Sequence, residues 1–241
     1  MRIWTAPLLL CLASPLWAEE VDLELVLLAD SSGSISQPEI DFQRESYAAA
    51  IVHPEVLEAI STTMTGRIAV TYVEWAANQA IVVDWTIIDG QASAAAFAGG
   101  ILDQPRLAFG RNAIGAALLE GLRLIEANDI QSMRQVIDFS GDSASSFTGP
   151  SVETSRARVL AAGITINGLP ILCERCFSST GGDLVRLYTD RIIGGPGAFV
   201  IAAEDGENFA DAVRRKLVLE IAGLTPSTQT ASIEPDHAVH P

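Results

Sequence analysis

The sequence predicts an α/β protein built on a doubly wound, mostly parallel sheet of six strands. One edge strand is antiparallel, and helices cover both faces. Three observations support this. Short apolar runs alternate along the chain with longer helical patterns, as in successive β-α units. The first run, Val21 to Ala29, has a nearly continuous apolar second half, as strands buried on both faces do. Two later runs are separated by only four residues, which fits a hairpin and therefore one antiparallel strand.

Each element has its own signal. Ser36-Gln37-Pro38-Glu39 is a helix start, with a Ser cap and then Pro and Glu in the first turn. That helix should run to about Val52, before Pro54. Residues 67–75 and 80–86 are rich in β-branched and aromatic residues and pair across Ala76-Ala77-Asn78-Gln79. An Ala-rich helix is expected from Ala92 to Leu102, and an amphipathic one from Ala113 to Ala127. Arg134 to Phe139 is a strand, Ser151 to Ala162 a helix closed by Gly163, and Ile164 to Leu169 a further strand. Asp183 to Ile192 is helical, Ala198 to Ala202 is the last strand, and Glu207 to Ile221 the last helix. No internal repeat is evident.

Three segments divide the chain. Residues 1–18 read as a signal peptide, with Arg2 ahead of a short apolar run and Ala18 before Glu19-Glu20. The run is too short to span a bilayer, and no other stretch is suited to crossing one. Residues 19–223 form the folded body, one domain with room for a sizeable core. Residues 224–241 are Pro/Ser/Thr-rich without periodicity and read as a disordered acidic tail. Cleavage after Ala18 leaves 14 basic against 30 acidic residues, a net charge of 14 − 30 = −16. That excess disfavours nucleic acid and anionic lipid surfaces as partners. The signal places the protein in the periplasm or outside the cell. Cys11 falls inside the leader. Cys173 and Cys176, in Cys-Glu-Arg-Cys, are expected to form a short disulfide in an oxidising compartment. Free thiols rank next, then redox chemistry. Zinc ranks last, because no second Cys pair or nearby His completes a site.

The chemistry gathers at one edge of the expected sheet. Asp30-Ser31-Ser32-Gly33-Ser34 follows the first strand, with a carboxylate and two hydroxyls at alternate positions of a tight turn. Hard cations such as Mg²⁺ take such oxygen ligands beside one or two carboxylates. Ligands of open α/β sheets bind at the carboxyl ends of strands. Residues 110–115 and 140–143 reach the same edge. Each feature also has an ordinary reading: Asp30 and Asp142 as turn acceptors, Ser32 and Ser34 as turn residues, and Asn112 as a helix N-cap.

Taken in order, the three segments resemble the von Willebrand factor type A domain and its metal-ion-dependent adhesion site. The resemblance covers roughly residues 21–222 and is strongest to a bacterial secreted branch, the domain of unknown function 1194. It implies a Mg²⁺ (or Mn²⁺) site on top of a Rossmann-like sheet, completed by an acidic side chain from a protein partner. Asp30, Ser32 and Ser34 match the first segment. Asn112 stands where the family has Thr, and its amide oxygen is still a hard ligand. Asp142 falls at the second aspartate, followed by Ser143 where Gly is usual. Asp138 is the alternative acid, but it lies inside the strand.

The reading is therefore a non-enzymatic secreted or periplasmic module that engages a Glu or Asp of a protein partner through Mg²⁺ or Mn²⁺. The expected ligands are Asp30, Ser32, Ser34, Asn112 and Asp142. One alternative is an A-type scaffold with a degenerate, metal-free site. Another is an esterase, because Phe139-Ser140-Gly141-Asp142-Ser143 faintly resembles the Gly-Asp-Ser block of GDSL-type enzymes. A Ser nucleophile needs a His base. Of the three histidines, His53 precedes a Pro, and His237 and His240 lie in the tail.

Overall fold

The computed structural model describes residues 19–172, 181–204 and 207–226. The leader, the tail beyond 226, and the Cys173 and Cys176 pair lie outside the described residues. The elements run β1 (Glu20–Asp30), α1 (Gln37–Ile51), α2 (Pro54–Ser61), β2 (Ile68–Trp75), β3 (Gln79–Ile88), α3 (Gln91–Leu102), α4 (Ile114–Glu126), β4 (Gln131–Gly141), α5 (Val152–Ala161), β5 (Thr165–Leu172), α6 (Gly181–Arg191), β6 (Ala203–Glu204) and α7 (Glu207–Ala222). Strand order is β3-β2-β1-β4-β5-β6, with β3 antiparallel at one edge and the other pairings parallel. No helix among the described residues is long and apolar enough to cross a membrane.

The sheet corrects the expectation of six comparable strands. Five full strands build it, and the sixth is a two-residue piece, Ala203–Glu204, beside Ile171 and Leu172. The expected strand 198–202 touches β5 through a single bridge, Gly168 to Val200. The cause is local. Gly195 and Gly197 bring the chain in with positive φ. The Phe199 N–H then donates to the Asn167 side-chain oxygen (3.1 Å) and not to a ladder carbonyl. Helix α2 has no counterpart in the sequence reading. Pro54 sits in its first turn, so the same proline that ends α1 begins the next helix. His53 caps it, its Nδ1 accepting from the Glu55 N–H.

Strand β1 lies at the centre of the sheet, and all of its residues after Glu20 are buried. Its side chains alternate between two cores, as a strand's must. Leu23, Leu25 and Leu27 join the core under α1, α2, α3 and α7, while Val26 and Leu28 join the one under α4, α5 and α6. Two acids on β1 accept hydrogen bonds from neighbouring elements. Asp22 accepts from the N–H groups of Met64 (2.9 Å) and Thr65 (2.8 Å), and Glu24 from Gln135 (2.8 Å).

Arg44 of α1 and Glu74 of β2 form a buried ion pair at 2.6 Å. The guanidinium also donates to the carbonyls of Gln104 and Pro105, and Glu74 accepts from the Leu107 N–H (3.0 Å). The pair thereby anchors segment 104–107, which leads to the candidate site. Removing one partner of a buried pair strands the other charge. Arg44→Ala should cost about 3 kcal/mol or more of folding stability in urea unfolding at neutral pH.

Candidate metal centre

Three loops meet at the carboxyl ends of β1 and β4, and hydrogen bonds fix their relative positions. The Ser31 N–H donates to the Trp75 carbonyl (2.9 Å), and the Gly33 N–H to that of Gly110 (2.8 Å). Arg106 is the clamp. Its guanidinium donates to the carbonyls of Ser31 (2.6 Å), Ser32 (3.0 Å), Ile35 (3.3 Å) and Ala108 (3.1 Å). A planar fork of five donors suits such a set of acceptors. The far side is held by β4. Trp75 stacks on Phe139 with ring centroids 4.9 Å apart and donates its indole N–H to the Ser140 carbonyl (3.0 Å). The Tyr188 hydroxyl donates to the Gly141 carbonyl (2.7 Å).

Asp30 lies at the floor, 1% exposed. Its Oδ1 accepts the Ser32 N–H at 2.8 Å. Its Oδ2 is buried with no hydrogen-bond partner. The Ser32 hydroxyl and the Asp142 N–H also face this carboxyl, but neither is well aligned on Oδ2. Gly141 leaves room there: a Cβ at that position would fall 2.7 Å from Oδ2 and 2.9 Å from Trp75. Asp142 is 3% exposed and interacts with the Ser34 hydroxyl and the Asp30 carboxyl. The hydroxyls of Ser32 and Ser34 are 3.1 Å apart. Ser34 is exposed, so the cluster opens to solvent on that side.

Electrostatically, the cluster holds two acids in a dry place. Burial first, and then the Asp142 charge, push Asp30 up to about 7. Burial also raises Asp142, with the Glu39 charge adding to it and the Ser34 hydroxyl opposing it. Two carboxyls this close resist ionising together. A cation between them removes that repulsion.

Asn112 is buried (7% exposed) on the adjoining loop, and its carbonyl accepts from the N–H of Phe147 (2.8 Å). It is not the cap of α4. The N-cap is Ala113, without a side-chain bond, and the Ser146 hydroxyl accepts the Ile114 N–H (3.1 Å). The Asn112 amide forms no side-chain hydrogen bond with another described residue. Asp138 lies away from this cluster, mid-strand, against Lys216. Ser140 is fully buried and donates to the Leu28 carbonyl (3.1 Å), so its hydroxyl is not a nucleophile at the surface. The serine of the Gly-Asp-Ser block is Ser143, which is half-buried and accepts the Ser145 N–H (3.0 Å), while His53 is engaged in capping α2.

No group of three His, Cys, Asp or Glu side chains occurs among the described residues. A metal here would rely on two carboxylates plus hydroxyl and amide oxygens. That set suits a hard cation such as Mg²⁺ or Mn²⁺, and the partnerless, buried Asp30 Oδ2 is the atom that fits one.

The residues that sequence reasoning missed are the supports. Arg106 gave no signal beyond being a lone base in an acidic chain. The exposed rings of Phe109 and Phe147, under the guanidinium groups of Arg106 (5.2 Å) and Arg111 (4.2 Å), read as ordinary loop residues.

The raised Asp30 carboxyl has a consequence for stability. The metal-free fold holds this proton more tightly than the unfolded chain does, whose Asp titrates near its ordinary value of 3.8. Stability from this group is therefore present at low pH and declines as pH rises from about 4 towards about 7. Urea unfolding in EDTA should show a smaller decline between about pH 5 and pH 7.5 for Asp30→Asn than for wild type. Glu220, also raised, contributes equally to both proteins and cancels in the comparison.

Among solved structures, the fold matches several proteins at low identity. The von Willebrand factor domain of the type V pili tip protein Mfa5 from Porphyromonas gingivalis aligns with a TM-score of 0.56 and 10% identity, covering 86% of this chain and 97% of that one. Manganese-loaded TRAP protein of Plasmodium vivax aligns at 0.51 and 14%, covering 83% and 73%. The chain spans 48% of proximal thread matrix protein 1 from the mussel byssus (TM-score 0.55, 16% identity) and 31% of the pilus adhesin SpaC from Lactobacillus rhamnosus GG (0.56, 13%). No curated protein matches it in sequence. The fold is that of a von Willebrand factor A domain, and residues 20–225 match the family described as "Protein of unknown function (DUF1194)", to which this chain belongs.

Proposed function

We propose that this chain is a secreted or periplasmic binding module, not an enzyme, which engages a protein partner through a divalent cation. The observation that carries the reading is the Asp30 carboxylate, fully buried, with one oxygen lacking any hydrogen-bond partner and a second acid beside it. Asp30, Ser32, Ser34 and Asp142 would hold Mg²⁺ or Mn²⁺, with Asn112 as a direct or water-mediated ligand. Bound there, the cation supplies a Lewis-acidic position for an incoming carboxylate. Arg106 keeps the Ser31–Ile35 loop in place through its bonds to backbone carbonyls. The exposed rings of Phe109 and Phe147 offer apolar contact beside the site, the kind of surface that anchors a partner. The manganese in the Plasmodium structure and the adhesin in the Lactobacillus one agree with this reading.

A metal-free scaffold is the second reading. It is favoured by Asn112 in place of the family's Thr, and by an Asp30–Asp142 pair that can share one proton. Calorimetric titration with Mg²⁺ and Mn²⁺ separates the two. Wild type should bind, Asp30→Ala should lose binding while keeping its circular dichroism spectrum, and Asn112→Thr should bind more tightly. A wild type that takes up neither ion, together with an Asn112→Thr variant that does, would establish the scaffold reading.

A further inference from the structure

The chain has 15 basic residues, and only one of them, Lys216, is lysine. It lies on α7, 0% exposed, with its Nζ 2.6 Å from Asp138 Oδ1 of β4 and 2.5 Å from Glu220 Oε1 one turn along the helix. The Asp138 contact is close but out of line for a hydrogen bond, and Glu220 Oε2 has no partner. The Asn167 amide donates to Glu220 Oε1 (2.9 Å), and the Phe199 ring lies 5.7 Å from Nζ. Two carboxyls thus face one amine in a dry cluster.

The other buried ion pair among the described residues, Arg44 with Glu74, shows what a purely structural solution looks like. There the guanidinium makes two bonds to one carboxylate, and every nearby acceptor is satisfied. Arginine is the usual choice for such a pair and stays protonated. At position 216 the chain departs from its otherwise exclusive use of arginine and places a group that can lose its proton and act as a nucleophile.

We propose that Lys216 and Asp138 condense into an intramolecular amide bond, with Glu220 as the proton-transfer group. The Lys216 ammonium passes one proton to Glu220, leaving a neutral amine beside a protonated Asp138. The Nζ lone pair attacks Cγ of Asp138, and the carbonyl π pair moves onto oxygen. Glu220 relays a proton from nitrogen to the departing hydroxyl. The C–O bond breaks, the carbonyl re-forms, and one water leaves. Atoms and electrons balance without an oxidant or cofactor. Burial supports the protonation states: it raises Asp138 and pushes Glu220 up to about 7. Fixed contact between the reacting groups supplies the proximity that free acids and amines lack. The product replaces a buried charge pair with a neutral amide, which relieves the cost of keeping ions out of water. It also ties β4 covalently to the C-terminal helix.

Tryptic digestion and mass spectrometry of the full folded protein test this. Cleavage after Arg134, Arg156 and Arg215 should release residues 135–156 joined to 216–241, lighter than the sum of the two peptides by one water. With Lys216 acylated, the chain is not cut after it. Glu220→Gln, verified as folded by circular dichroism, should give separate peptides, as should Asp138→Ala. Separate peptides from the wild type, with cleavage after Lys216, would overturn the proposal. An equal yield of the joined peptide from Glu220→Gln would overturn the role given to Glu220.

Discussion

The fold depends on a central strand that is buried along its whole length after its first residue and ends in a carboxylate. Burying β1 between two cores leaves Asp30 only 1% exposed, and Gly141 lets the neighbouring chain approach its Oδ2 closely. A carboxylate in that position is costly unless something compensates its charge. Here the Ser32 N–H and hydroxyl and the Asp142 N–H oppose that cost, but burial and the neighbouring acid outweigh them. The surrounding structure preserves this arrangement: Arg106 clamps the loop, Trp75 and Tyr188 hold the end of β4, and the Gly33–Gly110 bond brings in the third loop.

Two buried acidic clusters among the described residues differ in where they sit. Mid-sheet, Asp138 and Glu220 have a counter-charge within the chain, Lys216. At the carboxyl edge, Asp30 and Asp142 lie beside each other, Asp30 Oδ2 has no hydrogen-bond partner, and the cluster meets solvent at Ser34. A mid-strand acid can be paired only by a side chain packed on the same face, whereas an acid at a strand end can be paired by something that arrives from outside.

Much of the fold was legible because the signals were local. The continuous apolar run of β1, the Ser-x-Pro-Glu start of α1 and the short gap between β2 and β3 (read as four residues, three in the structure) each fix an element without reference to the rest of the chain. The last strand was not legible. Ala198 to Ala202 has strand composition, but the Asn167 side chain, distant in sequence, takes the Phe199 N–H. The α4 cap failed for the same reason: Asn112 is a good cap by type, yet the bond to Ile114 comes from Ser146. Of the site, the first-loop residues were visible as a motif. The Arg106 clamp was not, since its acceptors are backbone carbonyls that no sequence pattern marks.

The most direct measurement is a crystal of the protein grown or soaked with Mn²⁺ and recorded for anomalous scattering. The account predicts a single strong peak within bonding distance of Asp30 Oδ2 and the Ser32 and Ser34 hydroxyls, on the side open to solvent. A map with no peak there, and Asp30 still joined only to the Ser32 N–H and to Asp142, would contradict it.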